Sequence, residues 1–187
     1  MKSLKVLVAT VLCLVYTQAS WAKGLERLSY MGIDVSYGWV DFNFGREADG
    51  PKVDVFFDVG SNVFVLGSYA SLKADESSSK ASGYSVGLGY HHALNPTVDL
   101  VPTVEFIDAT TRSYDRTGWS AGLGLRALVS PRIELAGGSK YVDLHGDVDV
   151  SFGFSAYLYP LDKFGLGVGY DVSDDAKTVQ LGARMLF

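Results

Sequence analysis

Thr178-Val-Gln-Leu-Gly-Ala-Arg-Met-Leu-Phe187 is the stretch from which the rest of the chain is read. Val179, Leu181, Ala183, Met185 and Phe187 fall on odd positions. Gln180, Gly182 and Arg184 fall on even ones, and only Leu186 breaks the alternation. A period of two belongs to a strand with one apolar and one polar or glycine face. In a soluble protein an apolar strand of this kind is normally followed by a solubilising tail. In a closed transmembrane barrel the last strand pairs with the first, and a final aromatic residue sits at the membrane interface. The stretch therefore predicts an all-β, antiparallel, up-and-down transmembrane β-barrel.

The same period runs back along the chain. Met31, Ile33, Val35, Tyr37 and Trp39 alternate with Gly32, Asp34, Ser36 and Gly38 in a first strand over about Tyr30 to Phe42. A loop through Gly45 and Pro51 is expected next, then strands over Val53 to Val59 and Val63 to Ala74 around a tight Gly60-Ser61-Asn62 turn. Apolar residues on both sides leave the facing of Val63 to Ala74 ambiguous. From Gly83 the sequence repeats itself. Gly83-Tyr-Ser-Val-Gly-Leu-Gly89 returns as Gly118-Trp-Ser-Ala-Gly-Leu-Gly124, each copy leading to a proline turn and a returning strand. Further strands fall on Val98 to Ala109, Ile133 to Asp143, Val148 to Tyr159 and Phe164 to Val172. The total is ten, with eight as the alternative if Val53 to Val59 is not a full strand. Strands of about ten residues suit a tilted crossing of the hydrocarbon layer. Pro102 interrupts the fifth, so a bulge or an early end is expected there, because proline lacks the ladder N–H.

The N-terminus fits an exported protein. Met1-Lys-Ser-Leu-Lys5 is basic, Val6 to Tyr16 is apolar, and Ser20-Trp-Ala22 resembles a signal-peptidase site. Residues 1–22 are read as a signal peptide cleaved near Ala22, and 23–187 as the barrel. Cys13, the only cysteine, lies in the leader. The mature chain then lacks disulfides, thiolate catalysis and thiolate metal sites. Loss of Lys2 and Lys5 lowers the formal charge from −5 to −7, which disfavours nucleic-acid binding. A chain that is 48% hydrophobic yet holds 21 glycines fits apolar side chains outside and small or polar ones inside.

Strand parity then assigns faces. The expected lumen charges are Asp34, Asp54, Asp58, Asp99, Glu105, Glu134, Asp149 and Asp171, against Arg126, Lys140 and Arg184. Unpaired charges in so narrow a space are costly, so these cations should meet carboxylates. Trp39, Tyr69, Tyr84, Phe106, Trp119, Tyr141 and Tyr170 form one aromatic girdle. Tyr90, Tyr159, Phe164 and Phe187 form the other. An even strand count places both termini on the periplasmic side.

Signal peptide, repeated hairpins, girdles and terminal Phe187 together resemble the small outer-membrane β-barrel proteins of Gram-negative bacteria, the OmpA-like and porin-like families. The resemblance implies residence in the bacterial outer membrane after secretion through the inner membrane. It also implies Phe187 as an assembly signal, barrel-assembly machinery as a partner in biogenesis, and outer-membrane lipid and lipopolysaccharide as surroundings. It implies no cofactor and fixes no oligomeric state.

Catalytic motifs are weak. Gly83-x-Ser-x-Gly87 and Gly118-x-Ser-x-Gly122 match the serine-hydrolase elbow, but that motif needs a strand-to-helix turn. Here Ser85 and Ser120 sit inside strand alternation. His91 and His92 are adjacent and point to opposite faces of a strand, so they do not share a metal. The leading expectation is a non-enzymatic barrel with a structural, narrow porin-like or surface-interaction role. The competing one is an outer-leaflet lipid acyl hydrolase using Ser120, His145 and a nearby carboxylate.

Overall fold

A computed structural model describes residues 25, 28–43, 45–74, 80–111 and 115–187. The expected leader, with Cys13 and Ala22, lies outside the described residues, as do parts of two expected loops. The elements are β1 (Gly32–Phe42), β2 (Arg46–Gly60), β3 (Val63–Ala74), β4 (Lys80–Tyr90), β5 (His92–Asn95), β6 (Val98–Thr111), β7 (Asp115–Ser130), β8 (Ile133–Leu144), β9 (Asp147–Leu161), β10 (Phe164–Val172) and β11 (Ala176–Leu186). No helix occurs among the described residues.

All neighbours are antiparallel, and the sheet closes on itself. β1 pairs with β11 from Gly32 opposite Leu186 to Phe42 opposite Ala176. β6 pairs with both β4 and β5. β4 and β5 are thus one wall strand interrupted at His91, and the barrel has ten wall strands with one short extra element. Gly32 and Leu186 mark the terminus end. The turns at 61–62, 96–97, 131–132 and 162–163 share it, and the remaining connections lie at the loop end. Ser61 and Asn62 both have positive φ, 55° and 64°. This is the backbone that matches a two-residue hairpin to strand twist.

Two expectations change. β2 begins at Arg46, so the segment expected as a loop up to Pro51 is strand. β2, β7 and β9 have 15, 16 and 15 residues, more than a crossing of the hydrocarbon needs. Their loop ends project past it, where alternation of apolar residues is no longer demanded. β6 also runs unbroken through Pro102, with neither a bulge nor an early end. Pro102 stays paired with Leu123 of β7. On its other side the ladder is interrupted between Thr103–Gly89 and Leu100–His92. Pro51 follows the same rule. It pairs with Tyr37 of β1, while the ladder to β3 is interrupted between Asp49–Lys73 and Lys52–Ala70. Each proline sits where one flank of its strand has no bond to lose.

The wall is inside out relative to a soluble protein. Large apolar side chains crowd the exterior, Phe152 being 60% exposed, whereas Glu134 and Ser120 are fully buried. β3 is resolved by this test, with Val65 and Tyr69 exposed outside and Phe64 buried inside. Several inward glycines are covered by a ring from the neighbouring strand. Phe64 stands opposite Gly89, Tyr157 opposite Gly167 and Phe56 opposite Gly32. A Cβ on Gly89 would lie 2.1 Å from the Phe64 ring, and one on Gly167 2.5 Å from Tyr157. Each inward ring lies across the bare backbone of the neighbouring strand.

Candidate functional site: the lumen

The first few lumen-facing residues at the terminus end of the wall strands form one charged network. Arg184 of β11 grips Asp34 of β1 with two parallel bonds, Nε to Oδ1 and Nη2 to Oδ2, both 2.8 Å. Its Nη1 donates to Glu134 Oε1 of β8 at 2.9 Å. Arg126 of β7 donates to the same oxygen from Nε, also at 2.9 Å. Tyr159 OH donates to Glu134 Oε2 at 2.9 Å, and Tyr157 OH to Asp34 Oδ2 at 3.1 Å. The Arg184 guanidinium lies 3.7 Å from the Tyr157 ring centroid. Forked arginine–carboxylate bonds of this kind are strong and directional. They tie together β7, β8, β9, β11 and β1, five of the six consecutive wall strands along one side of the barrel.

Tyr30 extends this layer. It precedes β1 rather than opening it, and its ring turns into the mouth, where its OH donates to Asp99 Oδ2 at 2.9 Å. The His91 ring stacks on Tyr30 at 4.1 Å, and His91 Nδ1 is 3.8 Å from Asp99. His92 is exposed on the opposite face, as parity requires.

A second layer lies toward the loop end. Lys140 Nζ is 2.6 Å from Glu105 Oε1, and Ser85 Oγ donates to Glu105 Oε2 at 2.6 Å. Lys52 pairs with Asp54 at 3.1 Å. Gln180 Nε2 donates to Asp171 Oδ2 at 2.9 Å. Between these groups lies a cavity of about 390 Å³, whose far wall is largely glycine and serine of β7 to β11. A neighbouring space of about 350 Å³ shares Lys52, Asp54 and Lys140 and reaches down to Tyr30 and Phe64. The missing side chains on the glycine wall are what leave this volume.

Eight of the expected lumen charges, Asp34, Asp54, Asp99, Glu105, Arg126, Glu134, Lys140 and Arg184, meet in these contacts. Asp171 meets Gln180. Asp58 is half-buried at the β2–β3 turn, accepting from Gly60 N at 2.7 Å. Asp149 shares the inward parity of β9, half-buried near the loop end. Lys52 was missed because β2 was expected to start at Val53. Tyr159, expected on the lipid face in the girdle at the terminus end, is instead fully buried inside. Its parity with Ser155 and Tyr157 on β9 carried the signal. Trp39, Tyr69, Tyr84, Phe106, Trp119 and Tyr170 are exposed on the outer face, and Tyr141 is half-buried against Trp119 at 5.3 Å.

Ser120 and His145 are not brought together. Ser120 is fully buried inside, opposite Val142, three residues short of His145. His145 is exposed at the β8–β9 turn with φ 62°. Among the described residues no group of three or more His, Cys, Asp or Glu is placed to hold a metal.

The fold has solved counterparts. The chain is similar to the KdgM porin in complex with disordered oligogalacturonate, at 8% identity over 83% of this chain and 99% of that one, TM-score 0.51. It is also similar to an outer-membrane channel from Pseudomonas putida F1, at 10% identity over 89% and 99%, TM-score 0.50. At such identities the likeness concerns the fold. No curated protein matches the sequence. The family model described as outer membrane protein beta-barrel domain matches residues 6–171, and the chain belongs to that family.

Proposed function

We propose that this chain is a non-enzymatic outer-membrane barrel whose lumen is closed at the terminus end and forms a polar vestibule at the loop end. Its role is then structural or surface-facing, and bulk permeation is not its task. The observation that carries this reading is Glu134. It is fully buried at the terminus end of the lumen and held from β7, β9 and β11 by Arg126, Tyr159 and Arg184. A hydrated pore would leave such a carboxylate accessible. Burial of charge is tolerated only when partners surround it, and here partners from three strands do.

The setting is part of the proposal. The leader 1–22 is removed near Ala22 on secretion, the terminus end faces the periplasm, and Phe187 serves the assembly machinery. Lipid and lipopolysaccharide surround the exterior. Planar-bilayer recording of the refolded, signal-free protein tests the closed lumen. A silent bilayer with a heat-modifiable, folded barrel is the expected result. Discrete steps in the unmodified protein would make it a small porin instead.

A further inference from the structure

Lumen-facing wall positions are glycine, serine, threonine or charged through much of the barrel. At the terminus end they change character. Phe56, Phe64, Leu66, Val101 and Leu128 gather there around one apolar cluster. In an open tube these side chains would face water, which is unfavourable for apolar surface. They are covered by Leu28 and Tyr30, which belong to no strand.

The covering segment crosses the mouth. It leaves β1, and Leu25 N–H donates to Pro131 O at 2.6 Å in the β7–β8 turn. In the closed order of ten wall strands that turn lies on the far side from β1. Along the way Arg126 Nη1 donates to Ser29 O at 3.0 Å, with its guanidinium 4.5 Å from the Tyr30 ring centroid. None of these bonds belongs to a strand ladder. The seam between β1 and β11 starts only at Gly32, and Phe187 N–H holds Met31 O at 3.1 Å just below it. Met31 is therefore the natural hinge.

We propose that Leu25 and Leu28–Met31 form a plug supplied by the chain itself. Its seat is a cleft for an aliphatic-x-aromatic peptide, filled by Leu28-Ser29-Tyr30, and its withdrawal turns the blind lumen into a cation-preferring pore. The proposal rests on the closed-lumen reading. Cation preference follows from the wall, where Asp34, Asp54, Asp99, Glu105, Glu134 and Asp171 outnumber Lys52, Arg126, Lys140 and Arg184. Arg126, freed from Ser29 and Tyr30, keeps Glu134, and the network joins only the arc from β7 round to β1, so withdrawal opens the side lined by β2 to β6.

The test compares the signal-free protein with a Leu28→Ala/Tyr30→Ala variant and with a deletion of residues 23–30, all in planar bilayers. Discrete, cation-selective steps are expected from both altered forms. The synthetic peptide Leu-Glu-Arg-Leu-Ser-Tyr-Met, added at the terminus end, should block the deletion form. The same peptide with alanine in place of its second leucine and its tyrosine should not. Altered forms that fold yet stay silent overturn the plug and leave the closed lumen standing. An intact protein that already conducts removes the closed lumen, and the plug also falls if the deletion then leaves conductance unchanged. Should neither altered form refold, Leu28→Cys in the otherwise cysteine-free mature chain supplies the readout. Modification by a maleimide from the terminus end within minutes supports withdrawal. Protection for as long as the barrel stays folded overturns it.

Discussion

Glu134 is the residue on which most of the lumen's polar chemistry converges. Glu134→Gln leaves Arg126 and Arg184 facing a neutral amide in a buried space. Removing one partner of a buried pair typically costs ~3–5 kcal/mol. The expected outcome is a lower urea midpoint for the refolded barrel, by about that much in free energy, read from the heat-modifiable band. Tyr159→Phe removes one bond to the same carboxylate and should cost less, ~1–3 kcal/mol. Asp171→Asn should be close to neutral, because an amide oxygen at that position still accepts from Gln180 Nε2. A Glu134→Gln barrel as stable as the parent would show that the network is ornamental. At this scale the sequence was partly readable. Parity on each strand placed the charges, since an inward carboxylate and an inward arginine must alternate with lipid-facing residues. It did not place Tyr159, because an aromatic residue near a strand end suits the interface as well as it suits a glycine-lined interior. Burial against Gly165, where a Cβ would come within 2.9 Å of the Tyr159 ring, decides for the interior.

The elements add a rule that joins glycine to ring. Gly89 and Phe64 are opposite each other on β4 and β3, and there is no room for a side chain between them. Gly89→Val should destabilise the barrel by at least the ~1–3 kcal/mol usual for overpacking. Phe64→Ala in the same chain should recover part of the loss. A double-mutant cycle on refolding midpoints measures that coupling, and strictly additive effects would remove the pairing. The prolines make the opposite forecast. Pro102→Ala should shift stability by less than ~1 kcal/mol, because no ladder bond is at stake on its interrupted side. Most strands were legible from period two alone. The loop-end half of β2 was not, since Arg46 to Lys52 carries polar residues, a glycine and a proline. Above the hydrocarbon a strand needs only its hydrogen bonds, and these leave no hydrophobic trace in sequence. The segment before β1 left none either, because Leu28 and Tyr30 are too few to show a period.

Taken whole, the molecule is a lipid-facing cylinder with its polar groups turned inward. Without the leader its tryptophans are Trp39 and Trp119, both exposed on the outer face toward the loop end. Lipids brominated close to the headgroup should quench their fluorescence more than lipids brominated at the bilayer centre. Equal quenching at both depths would move these residues out of the girdle.

The seam between β1 and β11 joins the first and last wall strands. A polypeptide delivered N-terminus first therefore carries an unsatisfied β1 edge through the whole of its delivery. Pairing of that edge requires a partner from the far end of the sequence, a non-local step of the slow kind. Until it arrives, the open edge is a template for wrong partners. Closure, more than formation of any hairpin, is then the event that sets how fast this barrel matures and how often it aggregates on the way.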